Sequence, residues 1–267
     1  MTPQEFWKGL KTRCFGRSVL FLSEVGSTND VAKQWAGHGA AEGTVVVAEA
    51  QTRGRGRQGR RWASIPGKSL LFSLILRPPF PPQGWPLITL ATAVAVARTC
   101  ESFGIGVGIK WPNDLVVQGR KLCGILAETV PGKDKMTPVV VGIGVNLTQT
   151  RKDFPRELRR IATSLFLVSG RRIVRHRFLQ KLLLELERAY EHLSERDAQG
   201  ILSEWRRRSV TLGKQVRVEQ TTGILAGIAM DIDRSGALLV KTPKGRLEKV
   251  FSGDVVMVKT KLKKGPS

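Results

Sequence analysis

The chain has 267 residues, 41% of them hydrophobic and 25% charged, a profile of one large globular domain with or without a small appendage. Its 44 Lys and Arg against 22 Asp and Glu give a formal charge of +22, a field that favours acidic partners or polyanions but specifies no chemistry. Three scattered cysteines (Cys14, Cys100, Cys123) and three scattered histidines (His38, His176, His192) show neither metal-ligand nor disulfide spacing. No apolar run reaches the length of a membrane span and the N-terminus lacks the apolar core of a secretory signal. A cytoplasmic protein without a membrane partner or structural zinc is expected.

In chain order, "VLFL" (19–22) reads as a short buried strand. "SEVGSTND" follows, with Asn29 or Asp30 a candidate N-cap for a helix that Gly37 or Gly39 ends. The β-branched run "TVVVAEAQ" (44–51) reads as a strand and feeds directly into "QTRGRGRQGRRW" (51–62). "SLLFSLIL" (69–76) is the next strand, and the alanine-rich "PLITLATAVAVARTCESFG" (86–104) reads as a buried helix. "GVGIKWPNDLVV", "KLCGILAETV" and "TPVVVGIGVNL" follow with short connections, "QGR" and "PGKDKM", so they are expected to pair largely antiparallel. "RFLQKLLLELERAYEHL" and "AQGILSEWRRRSV" read as packing helices. From Leu212 onward, short strands with Gly and Asp turns suggest a small β-barrel.

Five segments bear chemistry. The loop 51–62 holds five arginines and three glycines. Its glycines permit close backbone approach and its guanidinium forks match phosphate or carboxylate. It has neither Walker spacing nor a following helix, and by composition alone it fits a nucleic acid as well as a small anionic ligand. In "KWPND" (110–114), Pro112 interrupts the strand; the plain alternative is a turn with a packed tryptophan. Lys121 opens the strand "RKLCGIL" and could equally be an edge gatekeeper. The glycines of "GIGVN" (142–146) suggest a bulge or a close approach, and "GSTND" (26–30) a polar loop or a simple cap.

Taken together and in this order, "GSTN", "AEAQTRGRGRQGRRW", "KWPND", "KLCGIL" and "GIGVN" resemble the biotin protein ligase (biotin–acetyl-CoA-carboxylase ligase) family, by motifs over roughly residues 20–150 and by layout over the whole chain. The resemblance implies an α+β fold. A class II synthetase-like catalytic domain, a mixed and mostly antiparallel sheet with helices on one face, would span 1–211, and an SH3-like β-barrel would span 212–267. It implies an enzyme that joins biotin to ATP as biotinyl-5′-adenylate and passes biotin to a lysine of a biotin carboxyl carrier protein.

Residue by residue, Arg55 and Arg57 match loop positions that contact biotin's carboxylate and the phosphate. Lys121 matches the lysine that neutralises the carboxylate; these three are the expected catalytic residues. Ser27, Thr28, Asn29 and Gln51 match polar contacts to the ureido ring, and Gly54, Gly56 and Gly124 complete the expected biotin site. Trp62 matches an aromatic near adenine, while Lys110, Asn113 and Asn146 match nucleotide-side or magnesium-side positions. Mg2+ would arrive with ATP rather than on protein ligands.

Two departures stand out. Only 26 residues precede Ser27, too few for the winged helix-turn-helix of the family's repressor members, so no sequence-specific DNA binding is expected. Cys123 stands where alanine is common, as a buried inert thiol or an alkylation-sensitive one. Family members often pair through the catalytic sheet, which leaves a homodimer open. A lipoate or octanoate ligase of the same catalytic fold and a basic nucleic-acid-binding protein remain the alternatives.

Overall fold

The computed structural model describes residues 3–130, 137–194, 198–221 and 223–258. The "PGKDKM" connection and the C-terminal "KTKLKK" run therefore lie outside the described residues. The first half contains α1 (Pro3–Lys8), β1 (Val19–Val25), α2 (Thr28–Gly37), β2 (Val45–Gln51), β3 (Ser69–Leu76) and α3 (Pro86–Ser102). It is followed by β4 (Gly108–Lys110), β5 (Asp114–Val117), β6 (Arg120–Thr129), β7 (Val139–Asn146), α4 (Leu165–Ser169), α5 (Arg175–Ser194) and α6 (Ala198–Arg208). The last strands are β8 (Gln215–Gln220), β9 (Gly223–Ile232), β10 (Leu238–Lys241), β11 (Leu247–Val250) and β12 (Asp254–Met257).

Seven strands form one sheet in the order β1-β2-β3-β7-β6-β5-β4. β1 and β2 are parallel, joined by the α2 crossover, and the other neighbours are antiparallel. Alternate residues of a strand face opposite sides. Val45, Val47, Leu70, Phe72 and Leu74 accordingly join α3 and α5 in the main core. Val46, Ile75 and Val140 pack against Ala32 and Ala36 of α2 on the opposite face. The expectation of helices on one face holds for the long helices, while α2 shields part of the other. This is why "SLLFSLIL" is buried along its whole length and does not alternate. α3 is apolar nearly all round because α5 and α6 also pack on it.

Three local expectations change. β1 continues to Val25, because it stays in register with β2 as far as Gln51. The N-cap of α2 is Ser27; Asn29 and Asp30 lie inside the first turn, and the Asn29 amide is engaged elsewhere. Lys121 is not at an edge, since it pairs with Val116 of β5 on one side and bridges Ala162 on the other. At "KWPND" the chain turns from β4 into β5, an antiparallel pair.

The C-terminal strands form a five-stranded antiparallel sheet in the order β11-β10-β9-β8-β12. It is tied to the larger sheet by Trp111, 2% exposed, whose backbone N–H donates to Thr211 Oγ1 (3.0 Å) and whose Nε1 donates to the Gly236 carbonyl (3.1 Å). Among the described residues no helix is long and apolar enough to cross a membrane.

Candidate active site

The floor of the site is β7. Gly142, Gly144 and Asn146 are two residues apart and share one face of the strand. A Cβ on Gly142 would stand 2.1 Å from Asn29 Oδ1, and one on Gly144 would stand 2.6 Å from the Trp62 ring. On neighbouring β6, a Cβ at Gly124 would come 2.9 Å from the same ring. The glycines therefore make room for side chains from other segments to lie flat on the sheet. Along this floor the order is Asn29, Trp62, then Asn146, whose Nδ2 donates to the Thr163 carbonyl (3.0 Å).

Above the floor is a cavity of about 250 Å³. At its Gly142 side, Gln51 Oε1 accepts from the Thr28 N–H (2.7 Å) and lies 3.0 Å from Thr28 Oγ1. Ser73 Oγ lies 2.8 Å from Thr28 Oγ1 and donates to Asn29 Oδ1 at 2.6 Å. Asn29 Nδ2 donates to Glu128 Oε2 (2.7 Å) and the Leu126 carbonyl (3.2 Å). Thr28, Asn29 and Ser73 are buried, Gln51 and Glu128 half-buried, and all are mutually bonded, a setting that favours directional recognition of a small polar group.

The arginine loop closes the other side. Arg55 and Arg61 face each other as an antiparallel bridge, and the Gly56 N–H donates to the Arg60 carbonyl (2.7 Å). The tip turns through Gln58 (φ 53°) and Gly59 (φ 71°). At the loop's base, Gly54 is enclosed so tightly that a Cβ would meet the Trp62 carbonyl at 2.8 Å. Arg55 donates to Asp30 Oδ1 (2.6 Å) and Glu128 Oε2 (3.1 Å). Arg60 pairs with Asp254 and Arg61 donates to the Thr52 carbonyl (3.2 Å). Lys121 Nζ stands 2.6 Å from Asp114 Oδ1 and 5.6 Å from the Trp62 ring centroid.

Arg57 differs from its neighbours. It is half-buried, its Nη1 donates to the Gly253 carbonyl (3.3 Å), and among the described residues it pairs with no carboxylate. Burial lowers its pKa below the usual arginine value, with Asp114 opposing and Arg60 adding repulsion. A guanidinium in that state is a standing site for an anion. Lys110, half-buried outside the cavity lining, is likewise held below the usual lysine value by burial, with Asp114 opposing and Lys121 and Arg60 repelling.

Of the residues singled out in the sequence, Ser27, Thr28, Asn29, Gln51, Arg55, Gly56, Arg57, Trp62, Asn113, Lys121, Gly124 and Asn146 all line this one cavity. Gly54 and Lys110 stand just outside it. Sequence reasoning missed Ser73, Glu128 and Asp254; it flagged the segments of Asp114, Gly142 and Gly144 but gave these three no place in the site. The close approach expected at the "GIGVN" glycines is what the structure shows, with Asn29 and Trp62 as the approaching side chains; Ser73, Glu128 and Asp254 are polar residues in ordinary surroundings. Cys123 is fully buried in the core and burial raises its pKa well above the ordinary value, the inert reading of that thiol.

Residues 22–146 match the model of the Biotin/lipoate A/B protein ligase family, and residues 211–258 that of the Biotin protein ligase C terminal domain. The chain is 39% identical over 256 residues to a bifunctional ligase/repressor BirA of Bacillus spizizenii, covering 96% of this chain and 78% of that protein. It is 37% identical over 248 residues to a biotin–[acetyl-CoA-carboxylase] ligase of Mycobacterium tuberculosis, covering 90% of this chain and 89% of that one. The solved structure of a biotin protein ligase from Aquifex aeolicus in complex with biotin and ATP superposes with a TM-score of 0.79 at 29% identity, covering 91% of this chain and 100% of that one. Matched at both ends by the models in the expected order and by relatives along nearly its whole length, the chain belongs to the biotin protein ligases of the biotin/lipoate A/B family.

Proposed function

We propose that the protein is an ATP-dependent biotin protein ligase: it activates biotin to biotinyl-5′-AMP and transfers biotin to a lysine of a biotin carboxyl carrier protein. On this reading residues 1–211 are the catalytic domain and 212–267 the C-terminal domain. The observation that carries it is the half-buried guanidinium of Arg57, without a carboxylate partner among the described residues, facing the same cavity as Thr28, Asn29 and Gln51, which Ser73 ties together from behind.

In the first step biotin's carboxylate attacks the α-phosphorus of ATP and pyrophosphate leaves. Two anions must be brought into line, so positioning and fixed positive charge supply most of the catalysis. The buried polar set, with Ser27, takes the ureido ring, and Gly54, Gly56 and Gly124 let backbone and ligand come close. Arg57 and Lys121 take the negative charge at the junction of carboxylate and phosphate. Arg55, already balanced by Asp30 and Glu128, holds the loop against the body. Trp62 lies against the adenine side, with Asn113 and Asn146 as polar contacts and Lys110 adding positive field behind Asp114.

Magnesium fits as a passenger of ATP. Mg2+ commonly binds through substrate phosphates and one or two carboxylates. In the second step the carrier lysine, as a free amine, attacks the acyl carbon and AMP leaves. The test is biotin-dependent exchange of labelled pyrophosphate into ATP. Exchange is expected with biotin; exchange with lipoate and none with biotin contradicts the assignment.

A further inference from the structure

Behind the cavity the hydrogen bonds form a circuit that joins the polar set to the Arg55 contact through Glu128, a link that the roles above do not use. Glu128, near the end of β6, is half-buried, its side chain 23% exposed. Its Oε2 accepts from Asn29 Nδ2 (2.7 Å) and Arg55 Nη2 (3.1 Å), and its Oε1 from Lys33 Nζ (2.6 Å). From Asn29 the path continues through Ser73 (2.6 Å) to Thr28 (2.8 Å) and then to Gln51 (3.0 Å). Gln51 is the last residue of β2, where the arginine loop begins, and Arg55 lies four residues further on. The circuit therefore leaves the loop at Arg55 and re-enters it at its root.

Two physical points give the circuit direction. An ionised carboxylate only accepts, so Glu128 can face only the NH2 end of the Asn29 amide, which leaves Oδ1 to Ser73. Glu128 thus fixes which way a cavity-lining amide points. The cluster is also balanced: Arg55 and Lys33 against Asp30 and Glu128. Burial alone would raise the Glu128 pKa, but the bonds from Asn29 and Lys33 and the charges of Lys33 and Arg55 bring it below the ordinary value. The carboxylate is held ionised, and Arg55 has no need of a substrate anion to remain where it is.

We propose that Glu128 is a positioning residue that couples the ureido end of the biotin site to the arginine loop, orienting Asn29 with one carboxylate oxygen while latching the loop through Arg55. Ligand that fixes Asn29 in place fixes Glu128 and so holds the loop closed; a loop released from Glu128 loosens the biotin site in return, as linkage requires. This rests on the biotin ligase reading.

The experiment uses the full chain with biotin as probe. Biotin affinity is measured by calorimetry, and loop protection by the rate of tryptic cleavage at Arg53–Arg61 with and without saturating biotin. The wild type is expected to bind biotin and to show biotin-slowed cleavage; absence of both sinks the ligase reading itself, before any variant is considered. Glu128→Gln keeps an acceptor for Asn29 but loses the charge facing Arg55 and Lys33. It is expected to weaken biotin by about tenfold and to abolish protection even when saturated. Wild-type affinity together with wild-type protection overturns the proposal. Arg55→Ala is expected to lose protection too, and Glu128→Gln/Arg55→Ala to be no worse than the poorer single variant; fully additive losses overturn the coupling. If Glu128→Gln melts far below the wild type, the surface variant Arg55→Ala decides alone: retained protection refutes the latch.

Discussion

Arg57 and Lys121 bring positive charge to the cavity by different means, and their replacements should fail differently. Among the described residues Arg57 has only a carbonyl partner, so on the proposed reading its charge is available to developing negative charge on the phosphate. Arg57→Ala should lower pyrophosphate exchange by about 100-fold or more, the usual cost of a lost donor at a charge-developing centre, with little change in biotin affinity. Unchanged exchange would remove Arg57 from the chemistry. Lys121 is paired with Asp114, and on the proposed reading it exchanges that partner for substrate carboxylate. Lys121→Ala should therefore weaken biotin binding itself by roughly tenfold or more, the range of a lost charged hydrogen bond, and calorimetry giving wild-type affinity would refute that role. Both residues were legible in the sequence because their motifs are local. Glu128, Ser73 and Asp254 were not: Asn29 and Glu128 are 99 positions apart, and nothing in "LAETV" marks that glutamate as the point where β6, α2 and the arginine loop meet.

At the scale of elements, β7 does the most with the least side chain. Gly144→Ala would put a methyl group within 2.6 Å of the Trp62 ring, on a backbone held in register by β3 and β6. The ring is the part that gives, so the variant should fold, raise the KM for ATP several-fold and leave biotin binding close to wild type. An unchanged KM would mean that Trp62 does not face the nucleotide. The β9–β10 turn shows the same economy in its charges. Burial alone would raise the Asp233 pKa, yet the Lys249 ammonium and the hydroxyl and N–H groups of Ser235 and Ala237 bring it to about 2 from 3.8. A carboxylate with a depressed pKa stabilises the fold above its unfolded value and loses that contribution as pH falls through the folded one. Asp233 should thus contribute about 2 kcal/mol at neutral pH, fading between pH 3.8 and about 2. The melting-temperature gap between wild type and Asp233→Ala should close over that range; a gap independent of pH would show that the charge is not what holds the turn. The strands were readable from β-branched runs and the β4–β5 turn from Pro112. The two-sided cover of β3 was not, because a wholly apolar strand looks the same whether one face or both are packed.

For the whole molecule, the C-terminal sheet is part of the site. Gly253 and Asp254, at the start of β12, meet Arg57 and Arg60 of the loop, and Asp254 lines the cavity. The loop is thus held from two sides, by α2 and β6 through Arg55 and by the C-terminal sheet through Arg57 and Arg60. The Arg60 side chain is 62% exposed, so the Arg60–Asp254 pair is a weak hold. Asp254→Ala should raise the KM for ATP only about two- to fivefold, with no loss of melting temperature; wild-type steady-state kinetics would show that the clasp has no part in catalysis. Composition and strand spacing revealed a second unit in the sequence but could not reveal that it reaches the catalytic cavity, since that contact depends on how Trp111 and Gly236 bring the two sheets together.

Transfer to a carrier tests the central claim most directly. With ATP, Mg2+, biotin and an equimolar amount of lipoate, a purified biotin carboxyl carrier domain should gain the mass of one biotinyl group on its acceptor lysine, and a carrier with that lysine replaced should gain nothing. A carrier that is lipoylated, or left unmodified while biotin-dependent pyrophosphate exchange is absent, would contradict it.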